Sequence, residues 1–240
     1  MTTLVLLPGL AGDREMWRDQ LTALAAWRPE VTEVHMRHAT IVEMAAALLA
    51  RHPGRLALCG ASMGGMLAME AARQAPARIA GLALLGSTAR PEDAEMRQVR
   101  EKAIALFEQD RVAEVIAPNA ALAFHPRHAG DTALLARYVD FVLRAGAQQL
   151  VRQNRAVIGR PDARPHLPAV RCPTLVLCGE DDQLTPLDRS REIAALVPAA
   201  RLVALPDCGH MLTMEQPEAV NAELVRWLER VERVERERAA

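Results

Sequence analysis

The chain has 240 residues, half of them apolar and a quarter charged, with a formal net charge of −1. These are the proportions of one globular domain, or of one domain with a modest insertion, and they exclude disorder, collagen or coiled coil as whole-chain readings. A near-neutral charge and only seven aromatic residues also argue against nucleic acid and anionic membranes, which ask for basic surface and stacking platforms.

In chain order, Thr3–Leu7 reads as a strand and leads into the turn-rich Pro8–Asp13. It begins without a basic leader, and no apolar run approaches the length of a membrane span, so a cytoplasmic location is expected. Val31–His35 reads as a weaker strand and Ile41–His52 as a helix, with apolar residues at Ile41, Met44, Ala45, Leu48 and Leu49. Leu56–Cys59 is a buried strand and Met63–Gln74 a helix that Ala75-Pro76 closes. Ile79–Leu85 is a further strand. The rhythm then breaks: from about Arg90 to Leu167 the pattern is helical, with candidates at Met96–Phe107, Arg111–Ala117, Thr132–Ala145 and Gln148–Ile158, separated by Pro118, Pro126, Gly130 and Gly146. Strands return at Thr174–Leu177 and Arg201–Leu205, with helices near Asp188–Leu196 and from Pro217 onward. Short apolar runs alternating with amphipathic ones define an α/β fold with a parallel sheet. The expected division is a sheet domain of residues 1–88 and 169–240, interrupted by a helical segment of residues 89–168.

Lys102 is the one lysine among 29 basic residues and stands in no phosphate-binding or kinase motif, so lysine-dependent chemistry is set aside. Cys59, Cys172, Cys178 and Cys208 form no C-x-x-C pair and have no zinc-finger histidine spacing, so they read as small buried hydrophobes in a reducing compartment, with no metal expected.

Between the Leu56 strand and the Met63 helix lies Gly60-Ala61-Ser62-Met63-Gly64-Gly65. A serine at a strand-to-helix corner is held in a strained conformation with its hydroxyl lifted above the sheet, and the tight turn demands small residues two positions either side. The helix start aims its N–H groups and positive dipole end at the same spot, so the Met63 N–H is a candidate oxyanion donor beside a Ser62 nucleophile. With 13 glycines and three serines, chance supplies about 0.01 matches to G-x-S-x-G.

Here the chain resembles the α/β hydrolases nearly end to end, helical insertion included. The resemblance implies an α/β-hydrolase fold, a mostly parallel sheet flanked by helices with an inserted all-helical cap, and a triad in the chain order serine, acid, histidine. Gly179, Asp182 and Pro186 match the family's G-x-x-D-x-x-x-P after the Thr174 strand, which makes Asp182 the orienting acid, with Asp181 as its rival. Gly209-His210 with Glu215 and Pro217 resembles the family's G-H-x-x-x-x-E-x-P, which makes His210 the general base and Glu215 a brace of the last helix. His35, His38 and His52 suit surface or packing roles. The second oxyanion donor is expected from Pro8-Gly9-Leu10-Ala11-Gly12, at the Leu10 N–H; many relatives carry His-Gly where this chain has Pro8-Gly9, which removes a side chain that often braces the loop. The glycines there do not form G-x-G-x-x-G, and no cofactor is expected.

In this family the insertion covers the active site and selects the substrate. Tyr138 and Phe141 share a helix face, and Phe107 and Phe124 lie elsewhere in the insertion. Phe124, Tyr138 and Phe141 are candidate substrate-binding residues, with a core of the insertion's own as the alternative. His125, His128, Arg160, Asp162 and Arg164 are polar candidates for the cleft, with salt bridging as theirs. The expected function is a serine esterase cleaving a carboxylic ester of a small or medium apolar acid through an acyl-enzyme, on a small-molecule substrate. A C–C hydrolase of ring-fission dienoates, a lactonase, and a lyase or acyltransferase on the same triad stay open, with a non-enzymatic binding protein behind them. An aspartate-nucleophile epoxide hydrolase or dehalogenase is excluded by Ser62.

Overall fold

A computed structural model describes residues 2–240. Among them, six strands form one parallel sheet in the order β2-β1-β3-β4-β5-β6. The elements run β1 (Thr2–Leu7), α1 (Arg18–Ala23), β2 (Glu30–Val31), α2 (Val34–Arg37), α3 (Ile41–Arg51), β3 (Arg55–Ala61), α4 (Met63–Gln74) and β4 (Ile79–Leu85). Next come α5 (Ala94–Phe107), α6 (Val112–Asn119), α7 (Thr132–Ile158), β5 (Thr174–Gly179), α8 (Leu187–Leu196), β6 (Arg201–Leu205), α9 (Leu212–Glu215) and α10 (Pro217–Ala239). Every residue of β4 and β5 is buried, as expected of strands covered on both faces, which read as continuous apolar runs. One face packs under α3, α4 and α8 through Ile41, Met44, Leu48, Leu67 and Ile193. The other carries Trp17, Leu224, Trp227 and Val231, and its apolar cluster continues into the helical segment through Phe107, Phe124, Phe141 and Leu150.

Between β4 and β5 the described elements are all helical. Within α7, Gly146 takes φ 73° and ψ 165°, which breaks the run into the two pieces expected on either side of it. Pro118 does not end its helix but falls in the last turn of α6, which continues into a 3-10 turn at Ala120–Ala123. The expected Val31–His35 strand is a clear departure. Pairing ends with Val31 and a bond from Thr32 N–H to Leu6 O, the chain turns on Thr32 Oγ1, and Val34–Arg37 is helical. The β-branched run favours a strand locally, but burial of the His35 ring against the loop after β1 decides otherwise.

Strand order reverses at β1 and β3, whose following chains leave in opposite directions toward β2 and β4. In parallel sheets such a switch point opens a crevice at the carboxyl ends of the strands. The loops after β1 and β3 meet there.

Candidate active site

β3 runs straight into α4, and Ser62 takes the corner with φ 52° and ψ −116°. This backbone region costs a non-glycine residue about 1–3 kcal/mol and persists only where the surroundings over-determine it. Here they do. Ser62 N–H donates to Leu85 O and Ser87 Oγ donates to the Ser62 carbonyl, both at 2.8 Å, so the end of β4 grips the corner twice. A Cβ on Gly60 would strike the Gly64 carbonyl, and one on Gly64 the Leu7 carbonyl. The Ser62 carbonyl takes the N–H groups of Gly65 and Met66, while those of Met63 and Gly64 lie at the helix start, where no earlier turn can accept them.

The loop after β1 lies against this corner, close enough that a Cβ on Gly9 would stand 3.3 Å from Ser62 Cβ. Gly12 N–H donates to Gly9 O at 3.0 Å and Ala11 N–H to Gln153 Oε1 at 2.8 Å. Among the described bonds of this loop the Leu10 N–H is left uncommitted.

Asp182 and His210 come together from the loops after β5 and β6, with Asp182 Oδ2 2.8 Å from His210 Nδ1. The other donors to Asp182 are the N–H groups of Leu184 and Thr185 on Oδ1, at 2.9 and 2.8 Å, and Thr185 Oγ1 on Oδ2 at 2.7 Å. Burial alone would raise the Asp182 carboxyl, but the His210 charge, its hydrogen bond and the Thr185 donors outweigh this and hold it below the usual range. An ionised carboxylate only accepts, so Nδ1 carries the ring proton and Nε2 is the basic nitrogen. Gly86, at φ 50°, passes so near that a Cβ would stand 3.2 Å from Asp182 Oδ2 and 3.4 Å from His210 Nδ1. Because Ser62 bonds the adjacent Leu85, the end of β4 links Ser62, Asp182 and His210. Asp181 is elsewhere: its carboxylate faces His125 Nε2 at 3.5 Å and is half exposed.

The His210 loop is pinned from the helical insertion. His210 and Met211 N–H both donate to Ala123 O at 3.0 Å. The buried Glu215 carboxylate takes Gly209 N–H at 3.1 Å and His125 N–H at 2.8 Å. Glu215 therefore braces the His210 loop against the insertion as well as standing before the last helix. A Cβ on Gly209 would meet the Phe124 backbone at 2.6 Å, so the chain at Phe124 packs on the His210 loop. The rings of Phe124 and Tyr138 stand edge to face at 5.4 Å, and those of Tyr138 and Phe141 at 5.3 Å. Phe124 and Phe141 are buried and Tyr138 half-buried, its hydroxyl pushed up to about 12 by burial. Of the polar candidates, Arg160 is buried against Glu92 and Arg164 pairs with Asp162; His128 approaches Glu215 at 3.9 Å.

The four cysteines are free, three of them buried, and burial raises every thiol, Cys172 to about 11 and Cys178 to about 12. Among the described residues, no three His, Cys, Asp or Glu side chains are grouped to hold a metal, and no helix is long and apolar enough to cross a membrane. Sequence reasoning gave no role to Ser87, Thr185, Gly86 or Gln153. Thr185 carried a readable signal, since an aspartate commonly caps N–H groups two and three positions on. Gln153, mid-helix, carried none.

Residues 2–217 match the model of the alpha/beta hydrolase fold family. The provisionally named carbamate hydrolase RutD of Shigella flexneri is 28% identical over 247 residues, spanning 93% of this chain and 90% of that protein. A pimeloyl-[acyl-carrier protein] methyl ester esterase of Nitrosomonas europaea is 29% identical over 183 residues, 73% of this chain and 72% of that one. Among solved structures, a thermophilic esterase from Thermogutta terrifontis superposes with a TM-score of 0.86 at 28% identity, covering 96% of this chain and 90% of its own. With this strand order, the serine corner and a family match over most of its length, the chain belongs to the alpha/beta hydrolase family of enzymes.

Proposed function

We propose that this protein is a serine hydrolase that cleaves a carboxylic ester of a small or medium apolar acid through an acyl-enzyme, without a cofactor. The observation that carries the reading is the 2.8 Å Asp182–His210 pair held beside the strained Ser62 corner by the end of β4. Ser62 Oγ attacks the ester carbonyl as His210 Nε2 takes its proton, and the developing oxyanion is met by the N–H groups of Leu10 and Met63. The imidazolium, stabilised by Asp182, returns the proton to the leaving alcohol. Water, deprotonated by the same nitrogen, then attacks the acyl carbonyl, and Ser62 Oγ leaves with the proton that His210 returns to it, releasing the acid. Tyr138, half-buried within the aromatic group, presents the apolar wall for the acyl chain, and Phe124 and Phe141 hold it in place. A small-molecule substrate and a cytoplasmic location belong to the same reading, in keeping with four free cysteines.

A fluorophosphonate probe is expected to label the native protein at Ser62 and to leave Ser62→Ala unlabelled. p-Nitrophenyl esters of graded acyl length should then be hydrolysed with a short-to-medium optimum. Absence of labelling at Ser62 sinks the triad. The likeness to RutD supports a carbamate as second reading, since its carbonyl would use the same nucleophile and oxyanion donors; faster turnover of p-nitrophenyl carbamates than of the matched esters would move the assignment there.

A further inference from the structure

The loop that carries the Leu10 N–H lacks the family's histidine at Pro8, and something else must hold it. We propose that Gln153, with His35, is a positioning residue that fixes the oxyanion loop from the helical insertion; this rests on the serine hydrolase reading above. The two side chains are fully buried. Gln153 Oε1 accepts the Ala11 N–H at 2.8 Å, Gln153 Nε2 donates to the His35 carbonyl at 3.0 Å, and His35 Nε2 donates to the Gly12 carbonyl at 2.8 Å. The bonds close a ring around Ala11 and Gly12, and Ala11 itself takes φ 61°, a left-handed conformation that a non-glycine residue adopts only under constraint.

The consequence for the donor follows from peptide planarity. Within one trans peptide the C=O and N–H point in opposite directions. Gly9 O is turned toward Gly12 N–H at 3.0 Å, so the Leu10 N–H of that same peptide points away from the turn. Gln153 fixes the next peptide through Ala11 N–H, and His35 fixes the one after Gly12 through its carbonyl. With Gly9 packed on Ser62, the loop has no freedom left to swing its donor. Without Gln153, the buried Ala11 N–H has no acceptor and the loop relaxes to find one. An oxyanion exists only after attack, so the loss should fall on the chemical step and spare substrate binding.

The test compares wild type with Gln153→Met, which keeps length and loses both bonds, and Gln153→Glu, which keeps an acceptor opposite Ala11 N–H. Kinetics use p-nitrophenyl butyrate. Affinity is also measured for a trifluoromethyl ketone, whose serine adduct places an oxygen anion at the same donors. Gln153→Met is expected to lower kcat by about 100-fold, the scale of a misplaced catalytic group, with KM within about twofold. Ketone affinity should fall by a similar factor, and Gln153→Glu should recover most of it. A folded Gln153→Met with wild-type kcat, or one changed in KM alone, overturns the proposal. If Gln153→Met does not melt cooperatively, Gln153→Glu decides: a loss of kcat without parallel loss of ketone affinity overturns it too. Wild type that neither labels at Ser62 nor turns over ester removes the hydrolase reading and this inference together, whereas an active wild type with an indifferent Gln153→Met removes this inference alone.

Discussion

At the scale of single residues, the Asp182–His210 pair sets opposing demands on stability and activity. Burial by itself disfavours the imidazolium, but the Asp182 charge and hydrogen bond, with the Glu215 charge, outweigh it and raise His210 above its ordinary value of 6.5, while Arg100 pulls the other way. A base with a raised folded pKa stabilises the fold fully below its unfolded value, and that contribution is lost as pH rises through the folded one. Asp182 is depressed, so its contribution is present above the ordinary carboxylate range and lost as pH falls through its lowered pKa. The pair therefore stabilises most in mildly acidic solution, where His210 is protonated and, on the proposed mechanism, cannot accept the Ser62 proton. The acid limb of kcat/KM is expected to have its midpoint above 6.5, and the imidazole titration followed by NMR should share it. Asp182→Asn should move that titration to lower pH and reduce kcat by about 10⁴-fold, as loss of the orienting carboxylate and of the right tautomer does elsewhere. A titration that does not move would mean that Asp182 does not set the His210 charge.

At the scale of elements, corner and insertion answer to different forces. Gly64→Ala would drive a methyl group into the Leu7 carbonyl, which neither backbone can yield, so the variant should lose cooperative unfolding or most of its activity. Within the aromatic group, Phe124 is fully buried and Tyr138 only half-buried. Phe124→Ala should cost about 3–5 kcal/mol in a denaturant titration, whereas Tyr138→Ala should cost less and shift the acyl-length optimum of ester turnover. Equal stability losses with an unchanged optimum would reduce the trio to packing. The same contrast explains what could be read from the chain beforehand. Ser62, Asp182 and His210 stood at strand ends, where apolar runs break into glycine-marked loops, and β4, α4 and β6 were bounded as expected. The short α2 and α9 have too few residues for periodicity to register. Gln153 and Ser87 act through bonds to the backbone of distant segments, and such partners leave no local trace in sequence.

At the scale of the molecule, the question is what fixes the helical insertion on the sheet domain, since it carries Gln153, Ala123 and the aromatic group to the site. Part of the answer is apolar continuity of one core cluster across both. Ion pairs such as Arg90–Glu192 and Arg144–Asp13, both at 2.8 Å, also cross the junction, and within the insertion a buried ionic node just past β4 ties its two ends together. Glu92 accepts Arg160 Nη1 at 2.9 Å, with side chains 3% and 6% exposed, and Arg100 Nε at 2.5 Å. Arg160 also donates to the carbonyls of Arg90 and Val157, and Arg100 to Asn154 Oδ1. The node thus joins the chain after β4 to α5 and to the last turns of α7, where Asn154 stands one residue beyond Gln153. Removing one partner of a buried pair strands the other charge, at a cost of about 3–5 kcal/mol, and Glu92→Gln strands that of Arg160, Arg100 being partly exposed. Its unfolding midpoint in urea should fall by that measure, and the loss should persist at high salt, because screening acts on exposed charges far more than on buried ones. Glu108→Gln, which breaks the exposed Arg155–Glu108 pair on the same insertion, should change little at any ionic strength. If the two substitutions prove alike, or if added salt abolishes the Glu92 effect, the two ends of the insertion are held together by apolar contacts and the node is only a solvated surface cluster.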